Sequence, residues 1–563
     1  MTPLRMSYVH GPSNVPLIGE TVGNLLDATA NEHGDAEALV SCHQGIHWCY
    51  RDFRRHVDDV AVGLLALGLQ PGERIGIWSP NNVEWLLTMF AAAKAGLILV
   101  SLNPAYRIPE IEYCLSKVGC RALVVADRLK TSDYIAMLRG LLPEAADCPP
   151  GRLQAARLPE LTTLIHIGPD DEPGFLRFDE VKELGGEPQR ARLKELANWI
   201  QFDDPVNIQF TSGTTGQPKA ATLTHHGVVN NLRLTADRGG VVQGERFSLP
   251  VPMFHIAGMG TVLLSVLSAG AVIMPAETFD PVATMQAIEQ ERCTYIGAVP
   301  TMFVAMLNHP AFATIDFSSL KKGYIGGAPC PLEIMRRLVS DMNLSDITIV
   351  FGMTETSPIS FQTSPSDTLE RRVSTCGQVH PHVEVKIVDA EGRVVPVGTP
   401  GEILVRGYLV MRGYWGDPER TAQAIDEAGW MHTGDLGTLD EDGYCNIVGR
   451  AKDMLIRGGE NIFPREIEEF LYGHPAIDDV HVFGVPDDLM GEEVAAWVRL
   501  KQGASAEEED VRAFCRGQIA HYKIPRYIRF VEIFPTTASG KVQKFMMRKA
   551  MISELGLIVQ QTA

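Results

Sequence analysis

Residues 211–219 read Thr211-Ser212-Gly213-Thr214-Thr215-Gly216-Gln217-Pro218-Lys219. The run ahead of it, Val206, Asn207, Ile208, Gln209, Phe210, alternates apolar with polar residues, which is the period of a strand. A strand that ends in a turn rich in glycine and hydroxyls can aim backbone N–H groups and side-chain donors at phosphate oxygens. The pattern is not a Walker A loop, because Gly216 is followed by Gln217-Pro218 rather than by Lys-Ser/Thr. An ordinary surface turn has a similar composition. The neighbouring motifs therefore decide between a plain turn and a nucleotide site of another kind.

Several stretches further along complete a pattern. Phe351-Gly352-Met353-Thr354-Glu355-Thr356 follows the buried-strand run Ile347–Val350. Thr433-Gly434-Asp435 comes after Gly429-Trp430, and Gly449-Arg450-Ala451-Lys452-Asp453 precedes Gly458-Gly459-Glu460-Asn461. Thr537-Ala538-Ser539-Gly540-Lys541 stands near the end. In this order and at these separations they resemble the adenylate-forming superfamily of acyl-CoA synthetases, peptide-synthetase adenylation domains and luciferases. The resemblance runs from about Thr21 to about Arg548. Met253-Phe254-His255-Ile256-Ala257-Gly258 and Arg457-Gly458-Gly459-Glu460-Asn461-Ile462 look most like the fatty acyl-CoA synthetase branch, in particular its medium-chain enzymes.

The gross numbers agree. A chain of 563 residues exceeds one ordinary core, so two or more domains are expected. A net charge of −19 disfavours a nucleic-acid partner, which wants a basic face; a local cluster of donors can still hold ATP. The ten cysteines form no Cys-x-x-Cys pair, which argues against zinc and disulfides and fits a reducing compartment. Met1–Glu20 has only Arg5 as an early positive charge and no apolar segment, so neither a signal nor a transit peptide is expected. Gln560-Gln561-Thr562-Ala563 carries no peroxisomal address, and the expected location is cytoplasmic. Phe247–Ala276 lacks Lys, Arg, Asp and Glu, but prolines and glycines break it into a buried strand–turn–helix–strand, and no transmembrane segment is expected.

Short apolar runs (Arg74–Trp78, Leu97–Leu102, Ala122–Ala126, Tyr295–Val299) alternate with helical patterns (Val83–Ala95, Asp280–Glu291), predicting α/β layers with largely parallel sheets. Ala145–Pro173 reads as a loop-rich insertion. After Gln378, Val383–Val388, Gly401–Val405 and Tyr444–Val448 read as antiparallel strands. The terminal piece has its own rhythm: helix Pro464–Leu471, strands Val480–Val485, Ala495–Leu500 and Ile528–Ile533, and helix Ala506–Ala520. The expected architecture is a large N-terminal domain of layered sheets and helices, 1–450, with a small β-barrel-like subdomain, followed by a small α+β lid, 451–563. The resemblance implies that the lid is mobile and hinges near Lys452.

An acyl carboxylate is already a nucleophile, so its adenylation needs an electrophilic phosphorus and neutralised phosphate charge rather than a strong base. The resemblance implies that Thr211, Ser212, Gly213, Thr214, Thr215 and Gly216 hold the β- and γ-phosphates of ATP, with Lys219 as an added charge; a solvated surface lysine is the plain alternative. Glu355 resembles a Mg2+ ligand, and Thr354 a contact to the α-phosphate or substrate carboxylate. Gly327, Ala328 and Pro329, which follow Gly326, resemble the segment lining the adenine and acyl pockets. Asp435 looks like the acceptor of both ribose hydroxyls, and Arg450 like a second contact at the hinge. Lys541 resembles the lid lysine that reaches the α-phosphate and the attacking carboxylate. His255 resembles a position at the acyl pocket and thioester tunnel, but a hydrogen-bonded core histidine fits as well. Gly458, Gly459 and Glu460 would face the site in a second lid orientation that admits coenzyme A.

The function so implied is ATP-dependent formation of an acyl-adenylate from a fatty or other carboxylic acid, followed by transfer to the thiol of coenzyme A, by a monomer or homodimer. Small residues in the pocket segments favour an alkyl chain of medium length or longer over acetate. Loading of a carrier protein and a catalytically silent nucleotide-binding protein are the alternatives.

Overall fold

The computed structural model describes residues 4–211, 217–328, 330, 332–450, 453–458, 460–487, 489–537 and 541–557. Its large body is built on three sheets. The first has eight strands in the order Leu176–Arg177, Thr163–Ile167, Cys120–Ala126, Arg74–Trp78, Ile98–Ser101, Pro205–Thr211, Lys219–Thr224 and Gly413–Tyr414. Its pairs are parallel as far as Pro205–Thr211 and antiparallel beyond. The second has nine strands, parallel through the series Asp346–Gly352, Lys322–Gly326, Tyr295–Ala298, Arg246–Leu249, Val272–Pro275 and Glu37–Ser41, with antiparallel strands at both edges.

The main core includes residues of both sheets and of helices Val22–Glu32, Tyr50–Ala66, Val83–Ala95, His225–Arg238 and Ile256–Ala269. Val83–Ala95 shows why the local signals worked. Its apolar residues run all the way round, so it is buried on every face. Asn82 Oδ1 caps its start by accepting from Trp85 N–H at 2.8 Å. Gly96, at φ +73°, closes its end in the left-handed region.

The third sheet is the small subdomain: Tyr8–His10, Val383–Val388, Gly401–Gly407, Met431–Leu439 and Cys445–Arg450, all antiparallel around a core of their own. The lid sheet places Gly491–Leu500 between Ile477–Asp487, Leu455–Arg457 and the parallel strand Tyr527–Phe530, with cores on both faces. Arg465 of the lid donates to Ile447 O of the third sheet at 2.6 Å.

Two expectations are corrected. Ala145–Pro173 is not wholly a loop, because Thr163–Ile167 pairs in parallel with Cys120–Ala126 inside the eight-stranded sheet. The helix expected over Ala506–Ala520 spans only Glu508–Cys515; Arg516 is extended and Gly517 takes φ +72°. The polar residues of the strand expected over Val206–Phe210 face the interior: Asn207 and Gln209 are buried, and Asn207 donates to Leu99 O and Ser101 Oγ, both at 3.1 Å. Phe247–Ala276 is the strand, turn, helix and strand expected, and among the described residues no helix is long and apolar enough to cross a membrane.

Candidate active site

Ligands of open α/β sheets sit beyond the carboxyl ends of the parallel strands, and here the predicted residues gather at those ends. Strand Pro205–Thr211 ends in Thr211, which lies opposite Lys219 in register. Strand Asp346–Gly352 runs into the single 3-10 turn Thr354–Thr356. Strand Lys322–Gly326 ends at Gly327 and Ala328, both exposed. A side chain at Gly326 would drive its Cβ to 2.6 Å from the Val350 side chain, so glycine is required there.

Glu355 is the centre of the first cluster. It is only 5% exposed, and Thr354 only 7%. Its Oε1 accepts from Tyr414 Oη at 3.0 Å and from Thr211 Oγ1 at 3.2 Å. Its backbone carbonyl accepts from Met411 N–H at 2.9 Å. The Lys219 ammonium lies 4.9 Å from the centroid of the Tyr414 ring, in cation–π range. Tyr113 Oη donates to Pro218 O at 3.2 Å and anchors the far arm of the turn.

Asp435 is the centre of the second. It sits in strand Met431–Leu439, paired in register with Arg450, whose Nε lies 3.0 Å from Oδ1. Burial raises its carboxyl, and the charges of Arg450 and then Lys541 offset only part of that rise. Lys541 comes from the lid, where its loop is held by Thr537 N–H to Lys541 O at 2.8 Å and Lys541 N–H to Thr537 Oγ1 at 3.1 Å. Its charge also bears on His255.

His255 caps helix Ile256–Ala269. Its Nδ1 accepts from Ala257 N–H at 3.2 Å, which leaves Nε2 as the protonated nitrogen. Burial, then the Lys541 charge, push its pKa down to about 4. The ring is therefore neutral near pH 7, and Nε2–H is a donor toward its surroundings. It cannot serve as a base through Nδ1 without uncapping the helix.

Gly458 and Glu460 belong to the lid's own sheet: Gly458 N–H donates to Met490 O at 2.8 Å, and Arg457 pairs with Glu460. They are not brought to Glu355 or Asp435. Ser212, Gly213, Thr214, Thr215, Gly216, Pro329, Lys452 and Gly459 lie outside the described residues. The sequence reading missed Tyr414 and Tyr113. Tyr414 lies in a strand of two residues with no period to read, and only its pairing with Lys219–Thr224 brings it to the site.

Comparison with known proteins gives a consistent picture. Residues 26–415 match the family described as AMP-binding enzyme, and residues 466–541 match the AMP-binding enzyme C-terminal domain. A mitochondrial medium-chain acyl-CoA ligase of Rattus norvegicus is 44% identical over 559 residues, covering 98% of this chain and 91% of the relative. A Bacillus subtilis (strain 168) protein with a provisional acyl-CoA synthetase name is 44% identical over 546 residues, covering 97% and 100%. Among solved structures, an anthranilate CoA ligase in complex with anthranoyl-AMP superposes with a TM-score of 0.85 at 26% identity over 97% of this chain and 99% of that one. A Mycobacterium tuberculosis fatty acyl CoA synthetase superposes with a TM-score of 0.72 at 28% identity, covering 95% and 99%.

Proposed function

This chain belongs to the AMP-binding enzyme family, and from that premise we propose which of its residues carry each step of its reaction. The enzyme is an AMP-forming acid–thiol ligase, an acyl-CoA synthetase. The carboxylate oxygen attacks the α-phosphorus of ATP, giving acyl-adenylate and pyrophosphate. The coenzyme A thiol then attacks the acyl carbon, loses its proton, and releases AMP.

In the first step the turn between Thr211 and Lys219 cradles the outer phosphates through the amides and hydroxyls of 211–216. Lys219 adds a cation. Asp435, one carboxylate with two acceptor oxygens, takes the vicinal ribose hydroxyls, and Arg450 fixes its orientation. Gly327, Ala328 and Pro329 lie along the adenine and the acyl group. Thr354 donates to the α-phosphate or the substrate carboxylate. Lys541 bridges the two anions that are about to join, a task suited to a flexible ammonium. His255 donates from Nε2 at the mouth of the acyl pocket. The lid, 451–563, then turns about Lys452, Lys541 leaves, and Gly458, Gly459 and Glu460 line the entry of the coenzyme A arm.

One observation carries this reading: the ends of two sheets converge on buried Glu355, whose Oε1 accepts from Thr211 Oγ1 and Tyr414 Oη, with the Lys219 ammonium over the Tyr414 ring. One chain supplies every residue named, so a monomer suffices, and a homodimer would hold two such sites. Among the described residues no disulfide is formed, in keeping with a reducing location such as the cytoplasm.

The residues fit a magnesium ion arriving with ATP. Magnesium takes one or two carboxylates and completes its shell with phosphate oxygens and water. Glu355 is a buried carboxylate with one oxygen engaged by two hydroxyls, and its Oε2 has no hydrogen-bond donor among the described residues. Among the described residues no cluster of three His, Cys, Asp or Glu competes for the ion. When bound, the ion offsets phosphate charge. Glu355→Gln should weaken nucleotide binding in magnesium but not in its absence, as read by calorimetry; an unchanged magnesium titration would remove Glu355 from the metal site.

For the acyl group we propose a fatty acid of medium length or longer. The relatives named above include a medium-chain ligase, and the pocket segments around Phe254, Ile256, Ala257, Gly326 and Met353 contain no tryptophan to plug the space. AMP release should appear with free coenzyme A alone, with kcat/KM rising from acetate to medium-chain acids. AMP release that requires an added carrier protein would give the reaction to the carrier-loading class instead.

A further inference from the structure

Tyr414 stands where the two large sheets meet the site. Its backbone belongs to the edge of the eight-stranded sheet, opposite Ala221. Its hydroxyl reaches a residue at the end of the nine-stranded sheet, donating to Glu355 Oε1 at 3.0 Å. Its backbone is fixed in turn: Tyr414 N–H donates to Thr421 Oγ1 at 2.9 Å, and Met411 N–H holds the Glu355 carbonyl. The ring has a second neighbour, the Lys219 ammonium 4.9 Å from its centroid. A core tyrosine that merely needed an acceptor would be satisfied by any carbonyl. This one is 6% exposed, yet it spends its hydroxyl on a carboxylate and its face on a lysine, the two charged groups that frame the phosphate turn.

We propose that Tyr414 is a positioning residue for adenylation: its hydroxyl occupies Glu355 Oε1 and so commits Oε2 to the nucleotide-bound cation, while its ring seats Lys219 beside the phosphate turn. This rests on the reading of Glu355 as the carboxylate that meets the cation. Losing the hydroxyl frees the carboxylate to rotate, so the cation meets a less ordered ligand. Losing the ring as well releases Lys219.

Wild-type enzyme, Y414F, Y414L and E355Q are compared by calorimetric titration with α,β-methylene ATP over a magnesium series and in excess EDTA, and by ATP–pyrophosphate exchange over the same series. Y414F should raise the magnesium concentration for half-maximal nucleotide binding about tenfold, the scale of one hydrogen bond to a charged group, and leave binding in EDTA unchanged. Y414L should add a further rise of about threefold in KM for ATP with little further loss of kcat, the lower end of the cation–π range. A shifted midpoint in E355Q beside an unmoved one in Y414F overturns the role of Tyr414 and leaves Glu355 in place. Unmoved midpoints in both remove Glu355 and the proposal together. If Y414F does not fold, T211V, which strips the other donor from the same oxygen at 3.2 Å, should move the midpoint in the same direction, and no movement there overturns the proposal.

Discussion

Lys541→Ala should lower ATP–pyrophosphate exchange by about 10²–10³-fold, the scale for removing one preorganised group that stabilises transition-state charge, and leave thioester formation from pre-made acyl-adenylate little changed. The asymmetry follows from where the charge sits. The Lys541 charge offsets part of the burial effect on Asp435 and adds to it on His255. Those residues mark the ribose end and the acyl end of the proposed site, so the charge acts on the stretch where carboxylate and α-phosphorus meet. The loop that presents it is held by the backbone contacts between Thr537 and Lys541, so truncating the side chain spares the loop. A second readout does not depend on turnover. Without the cation, the His255 pKa should rise from about 4 but stay below the ordinary range, because burial is the larger cause. Equal loss of both half-reactions, or an unmoved His255 titration, would mean that Lys541 acts elsewhere. Lys541→Arg should recover little, since a planar fork does not replace a compact ammonium between two anions.

What could be read from the sequence depended on how local the determining forces are. Val83–Ala95 was legible because its burial, its Asn82 cap and its Gly96 stop all lie within the segment itself. Thr354 and Glu355 were legible because the motif that carries the family resemblance, Phe351–Thr356, is contiguous and directly follows the strand run Ile347–Val350. Thr163–Ile167 was lost inside a loop-like stretch because its strand status comes from pairing with Cys120–Ala126. The pairing of Asp435 with Arg450 is of the same kind: the motif pointed to both residues, but only the antiparallel register of two strands puts the guanidinium on the carboxylate. Tyr414 is the extreme case. Two residues have no period, and their meaning comes from a strand and a carboxylate far away in the chain. His255 shows the reverse. Its position was flagged, but its tautomer is decided by one local contact, the Ala257 amide on Nδ1.

The large body should lose stability as pH falls below about 6.5, through buried histidines that include His255 and two outside the proposed chemistry. His225 and His380 are 1% and 0% exposed. His225 Nδ1 accepts from Val22 N–H at 3.1 Å, in the first turn of helix Val22–Glu32, and burial pushes its pKa down to about 3. His380 sits with Nε2 3.1 Å from Gln362 Oε1, and burial, then the Arg238 charge, hold it well below the ordinary value. Both rings stay neutral when folded and take a proton near pH 6.5 when unfolded. Below that value the unfolded state binds protons that the folded state refuses, so unfolding becomes easier with each step down, until the folded pKa is reached. The ceiling is about 1.4 kcal/mol per pH unit for each ring, about 3 kcal/mol for the pair, against a typical domain stability of about 5–15 kcal/mol. Asp58 and Asp435 work in the opposite direction, since burial raises both carboxyls and the folded state takes those protons first. Urea midpoints taken between about pH 7 and pH 5 should fall steadily in the wild type. H225N, whose amide oxygen can take the Val22 donor, combined with H380Q, whose amide nitrogen can reach Gln362, should flatten the descent while preserving the midpoint near neutrality. A double variant that keeps the wild-type slope would move the proton uptake to other groups.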